Sequence, residues 1–146
     1  MEQYAFSYQY RILKQIVLTM NIILLPIRKE HSDKIFNHTK KYEYRKNFPL
    51  SGVDRILVYE SRGTGMIVGE FDVVGVVSSD KANLWLHTGG VGGISKSQFE
   101  EYFRDREMAY AIKIGEVRKY EQGKSLAEFG LRRAPQNYVW IERSQE

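Results

Sequence analysis

Cysteine is absent from the 146-residue chain. That single absence removes thiolate nucleophiles, cysteine-based zinc sites and a disulfide framework, and it fits a reducing compartment. Histidine is scarce. His31, His38 and His87 have neither metal-ligand spacing nor thiolate companions, so the chain carries no predicted metal site. Proline is scarce as well, at positions 26, 49 and 135 only, and each reads as punctuation. No apolar run approaches the roughly 20 residues that a membrane span needs. The first ten residues lack the basic and apolar regions of a signal peptide. A cytoplasmic protein with no membrane contact and no cofactor is the expectation. Internal repeats, linkers and low-complexity tracts are missing too, and the length suits one domain able to bury about two-thirds of its unfolded surface.

What is present is unevenly placed. The net charge is +4, from 22 basic and 18 acidic residues. Seven basic residues (Arg28, Lys29, Lys34, Lys40, Lys41, Arg45, Lys46) and three acidic ones (Glu30, Asp33, Glu43) fall between positions 28 and 46, which leaves fifteen of each elsewhere. The whole excess therefore lies in one segment. A local basic patch beside aromatic residues suits a phosphate-bearing ligand, although a solvated helix face beside a basic strand has the same composition.

Residues 1–19 give mixed signals. Tyr4, Phe6, Tyr8 and Tyr10 alternate as in a strand, whereas Ile12, Leu13, Ile16 and Val17 have helical spacing. They read as an extension, or a start placed too early, ahead of a self-contained domain at 20–146, and no function attaches to them. Ile22 to Leu25 is a buried strand whose pairing Pro26 should end. Lys29 to Asn37 is a short helix, and Lys40 to Lys46 a strand with Tyr42 and Tyr44 on one face and Glu43 and Arg45 on the other. Phe48 to Gly52 is a turn, and Arg55 to Tyr59 the next strand. A hairpin loop at Ser61–Gly65 leads to a long strand, Met66 to Val77, in which Gly69 and Gly75 predict bulges. Asn83 to His87 is a connecting piece. Gly89–Gly93 lacks the lysine and hydroxyl residue of a phosphate loop and reads as a flexible connector.

Ser95 and Gln98 form a capping box that opens a helix to Arg104, with Phe99, Tyr102 and Phe103 as a core stripe. Met108 to Val117 alternates as a strand. Ser125 with Glu128 opens one helical turn that Gly130 closes, and Tyr138 to Ile141 is the last strand. Short strands joined by hairpins, with a few helices, make a mostly β, α+β fold: a small closed β-barrel with short flanking helices.

Lys40-x-x-Glu43-x-Arg45 resembles the signature of the ASCH domain family. So do Lys34-Ile35-Phe36, Val58-Tyr59-x-Ser61, Ile67 to Glu70, Gly93 to Lys96 with Phe99 and Tyr102-Phe103, and Pro135-Gln136, in that order. The match covers about residues 22 to 142. The resemblance implies a PUA-like barrel with a cleft beside the motif, and RNA binding linked to transcription or translation. Some relatives hydrolyse acetylcytidine with a lysine, a threonine three residues later and a distant glutamate; others are linked to RNA cleavage. Here the usual glycine before the motif is His38, and Glu43 stands where that threonine would be.

The residues alone allow two chemistries. As a binding module, the chain would hold RNA or a nucleotide between Lys40, Glu43 and Arg45. Arg45 offers a planar fork to a phosphate or base edge, Glu43 accepts from an exocyclic amine, and Lys40 meets a phosphate or carbonyl. Tyr42, Tyr44 and Tyr59 could stack on a base, with Ser61 and Gln136 as rim groups. As a hydrolase of a modified nucleoside amide or of RNA, the catalytic pair would be Lys40 and Glu43, with Glu70, Thr39, Ser61 or His38 assisting. A Glu43–Arg45 pair that satisfies itself on the barrel, with Lys40 solvated, is the alternative without function. Oligomeric state is open.

Overall fold

The computed structural model describes residues 2–142, except for the side chains of residues 2–4, 6 and 16–18. The first element is a helix, α1 (Glu2–Thr19). Its backbone resolves the mixed signal of the first nineteen residues in favour of helix, and Tyr8, Tyr10, Ile12 and Leu13 are exposed on it. The alternation at Tyr4 and Phe6 and the spacing at Ile16 and Val17 involve side chains outside the described set. After α1 come β1 (Ile22–Arg28), α2 (Lys29–Phe36), β2 (Tyr42–Arg45), β3 (Arg55–Ser61) and β4 (Ile67–Asp80). Then follow α3 (Lys81–Thr88), a 3-10 turn at Gly89–Val91, α4 (Lys96–Tyr102), β5 (Met108–Lys124), a second 3-10 turn at Leu126–Phe129, and β6 (Val139–Trp140).

The six strands form one sheet in the order β2-β5-β4-β3-β1-β6. Among the described residues only β1 and β3 pair in parallel, because α2, β2 and the turn after it return the chain to the same end of the sheet. The long partners β4 and β5 bend together through register shifts at Ile67/Gly69, Phe71/Val73 and Val73/Gly75. The first and last of these lie at Gly69 and Gly75, the two glycines expected to mark bulges, whereas the shift at Phe71/Val73 has no glycine; bulges raise local twist and curl a sheet. The curl is a half-barrel. β2 and β6 remain as its two edges, so the expected closed barrel is refined to one whose last gap is spanned by side chains rather than by a ladder.

Inside the curl lies an apolar core of Ile23, Leu25, Ile27, Ile35, Ile56, Val58, Phe71 and Ile112. A second cluster sits between β2, β5 and the α3–α4 pair: Tyr44, Leu84, Phe99, Phe103, Ala109 and Ala111. The alternation of β2 divides its side chains between the two regions as the sequence predicted.

Several boundaries differ from the sequence reading for local reasons. Pro26 does not end β1, which stays in register with β3 through Arg28. β6 pairs only with Ile23 and Leu24, so beyond them the outer edge of β1 is open and a missing N–H there breaks no ladder. Asn83 to His87 is not a connector but part of α3, whose start is capped by Asp80 accepting from the Asn83 amide at 3.0 Å. β4 and β5 run on to Asp80 and Lys124 because each supplies the other's hydrogen bonds. Both predicted capping boxes are formed, and Gly130 takes a left-handed φ of 75°.

Candidate functional site

The site starts at the end of α2. The His38 amide donates to Ile35 O at 3.2 Å and the Thr39 amide to Lys34 O at 3.0 Å, the double bond pattern of a Schellman closure. Such a closure needs a left-handed residue, and His38 supplies it at φ 68°. The turn aims Lys40 inward. Its side chain is 2% exposed, and its Nζ donates to Gly92 O at 2.6 Å and lies 5.1 Å from the centre of the Tyr44 ring. Among the described residues it forms no ion pair. Burial holds the Lys40 amine below the ordinary lysine range, with the nearby Glu43 charge opposing that shift.

The glycines of 89–93 therefore do more than connect. Lys34 Nζ holds Gly93 O at 2.8 Å while Lys40 holds Gly92 O. A Cβ at Gly92 would collide with the Tyr44 ring, and one at Gly93 would come within 2.9 Å of the Lys40 stem. Tyr44 is fixed from its far end. Thr88 donates to Leu84 O at 2.7 Å, which leaves the Tyr44 hydroxyl to donate to Thr88 Oγ1 at 2.7 Å.

Glu43 and Arg45 lie on the other face of β2. Glu43 is 6% exposed, yet its carboxylate accepts no hydrogen bond from any described residue, and Oε2 is buried without a partner. Arg45 Nε stands 3.8 Å from Glu43 Oε1, too far for a hydrogen bond, and is itself unpartnered. Arg45 Nη2 donates to Pro26 O at 2.6 Å, so it bridges the gap between the edge strand β2 and β1.

These three side chains border a cavity of about 560 Å³. Pro26, Ile27 and Arg28 of β1 form one wall, and Glu30 and His31 of α2 the next. Ile94 and the α4 residues Ser97, Gln98, Glu101 and Tyr102 complete it. His31 is held below the ordinary histidine range, chiefly by burial, and its Nδ1 has no partner. Its ring is neutral at physiological pH and offers either a donor or an acceptor according to tautomer.

Lys40, Glu43 and Arg45 are thus brought together, with Tyr44. Tyr59, Ser61 and Gln136 lie elsewhere. Tyr59 packs with Leu24, Leu57 and Ile67 on the other side of the sheet, Ser61 ends β3, and Gln136 is exposed near β6; none borders the cavity. Tyr42 packs in the helix-side cluster. Of the possible assistants, Glu70 is engaged by Arg55, Arg118 and Tyr120, Thr39 is exposed and bonded to Asn37, and His38 is exposed in its turn. Reading the stripe of α4 as core is correct for Phe99 and Phe103 but not for Tyr102, which is 38% exposed at the cavity rim. His31 and Gln98 were missed as wall residues. The signal for His31 was its place one turn from the buried Ile35 on the same short helix; nothing in the spacing tied Gln98 to β2. Among the described residues, no three His, Asp or Glu side chains gather in a way that could hold a metal ion.

The ASCH domain sequence model matches residues 25–118, well over half of the chain. The large ribosomal subunit protein uL22 of Ureaplasma parvum is 25% identical over 125 residues, which make up 85% of this chain but 40% of that protein. An ASCH domain-containing ribonuclease of Zymomonas mobilis is 25% identical over 123 residues, covering 80% of this chain and 81% of the relative. The crystal structure of ASCH from Zymomonas mobilis superposes with a TM-score of 0.76 at 22% identity, over 84% of this chain and 88% of the other. The curled sheet, the capped helices around it and the extent of these matches lead to one assignment: the chain belongs to the ASCH domain family.

Proposed function

We propose that the chain is an RNA- or nucleotide-binding module that seats a nucleobase of its ligand in the cavity of Lys40, Glu43 and Arg45. One observation carries the reading. A buried carboxylate that accepts no hydrogen bond is costly, by several kcal/mol for a charged group left unmet, and native folds rarely keep one without use. Glu43 Oε2, Arg45 Nε and His31 Nδ1 are all in that condition on residues around one cavity. An acceptor, a donor and a tautomeric ring nitrogen match the mixed edge of a nucleobase, reached after a small turn of the side chains. The cavity's charges also balance. Arg28, Lys40 and Arg45 face Glu30, Glu43 and Glu101, which favours a polar but neutral group. A regulatory role in transcription or translation would follow from such binding. A reducing, cytoplasmic setting suits the cysteine-free composition, and among the described residues no helix is long and apolar enough to cross a membrane.

Fluorescence anisotropy with a labelled single-stranded RNA, competed by each free nucleoside, tests the reading. Arg45→Ala and Glu43→Gln should each weaken binding about tenfold or more at fixed salt. Equal affinity in both variants would reject it.

A second reading, hydrolysis of RNA or of a modified nucleoside amide, is favoured by the Lys40 amine being pushed toward its neutral form beside a carboxylate. The Zymomonas relative's name, a ribonuclease, points the same way. Product formation from RNA or acetylcytidine that disappears in Lys40→Ala would establish it; no turnover of either substrate would leave binding as the function.

A further inference from the structure

A second, smaller cavity of about 200 Å³ adjoins the first. It opens where the half-barrel fails to close. Arg45, Lys46 and Asn47 come from the end of β2, and Asn137 and Tyr138 from the approach to β6, the opposite edge of the sheet. Tyr102 and Arg106 cover it, and Arg45 and Tyr102 also border the larger cavity, so one arginine and one ring form the divide.

The charge of this seam is unlike that of its neighbour. Its lining holds three cations, Arg45, Lys46 and Arg106, and no carboxylate. Among the described residues Lys46 and Arg106 form no ion pair, whereas the adjacent Arg104 takes up both Glu101 and Asp105. Lys46 Nζ lies 5.1 Å from the centre of the Tyr102 ring, and Arg106 Nη1 reaches only Asn47 Oδ1 at 3.5 Å. Three cations converge on a space less than half the size of the first cavity, with two side-chain amides beside them. Excess positive charge in a concave, partly enclosed site concentrates anions.

The geometry points to a phosphodiester subsite at Lys46 and Arg106, so that the ligand runs as a strand from a base in the large cavity, past Arg45, to a backbone phosphate in the seam. This rests on the nucleotide reading of the large cavity, and makes the preferred ligand a phosphate-bearing chain rather than a free nucleoside. Arg45 faces both spaces and sets the register between base and phosphate.

The test uses the full chain and the Lys46→Ala, Arg106→Ala and double variants, each first checked for an unchanged thermal midpoint. Lys46 is half-buried and Arg106 exposed, so the fold should tolerate both changes. Affinity for a single-stranded RNA decamer is measured across a salt series. Each single variant should weaken binding about three- to tenfold and lower the slope of log K against log salt by about 0.7, one phosphate contact on a single strand. Affinity for free nucleosides should not change. An unchanged RNA slope in the double variant would overturn the subsite while leaving the base cavity standing, and so would equal competition by polyglutamate, which would mark an acidic-peptide surface. If the wild type binds no RNA, phosphorus NMR of inorganic phosphate decides. Line broadening by the wild type but not by the double variant supports the subsite even as the base reading fails; no broadening by either overturns it.

Discussion

Lys40 is buried where, among the described residues, no carboxylate meets its ammonium within ion-pair distance. Its amine titrates below 10.5, so the folded chain binds fewer protons than the unfolded chain between the two values. Stability from this residue is therefore reduced at neutral pH and recovered as pH rises toward 10.5. Urea denaturation at about pH 7 and pH 9.5 should show a gain at the higher pH that is smaller in Lys40→Met, the other titrations being common to both proteins. His38 offers a second check. A left-handed non-glycine residue costs of order 1 kcal/mol, and the side chain is exposed. His38→Gly should raise stability by about 0.5–1 kcal/mol and leave ligand binding as it was, measured as a shift of the denaturation midpoint.

At the scale of elements, the segment Gly89–Gly93 has the tightest steric demand in the site. Gly93 holds φ at 74° and its carbonyl accepts from Lys34, while a Cβ there would come within 2.9 Å of the Lys40 stem. Gly93→Ala should cost about 1–3 kcal/mol and weaken ligand binding, because strain here moves Lys40. Thermal unfolding and RNA anisotropy on the same sample would show whether the two losses travel together. The capping boxes of α4 and the 125–130 turn, by contrast, were legible as local patterns of four residues. The start of α3 was equally local, an Asp80 cap, but was obscured by the β-rich run leading into it.

For the molecule as a whole, the β3–β4–β5 surface is tied together by ions. Arg118 meets Asp72 at 2.5 Å and Glu70 at 3.0 Å, and Arg55 meets Glu70 at 3.0 Å and Asp72 at 3.3 Å. The hydrogen bond from Arg118 holds the Asp72 carboxyl below its ordinary value of 3.8. A depressed carboxylate contributes stability above that value and loses it as pH falls through the folded one. Arg118→Ala should therefore be less stable than the wild type by under about 1 kcal/mol at neutral pH, the network being partly exposed, with the gap narrowing as pH falls below 3.8. Calorimetry across that range measures it.

The linear order of residues was enough for the family motif, the strands, the bulging glycines, both capping boxes and the closeness of Lys40, Glu43 and Arg45. All of these are set within a few residues by periodicity, caps and turn chemistry. The sheet's curl decided the rest. Residues 26, 31, 45, 98 and 102 share a cavity only because β1 and β2 stand on either side of an unclosed gap that α4 covers, and no local pattern carries a distance across that gap. The curl also exposed Lys46 and Arg106 to a common hollow sixty positions apart, while the alternation of β3, with Ile56 and Val58 in the core, put Tyr59 on the far side of the sheet although its spacing had matched the family's.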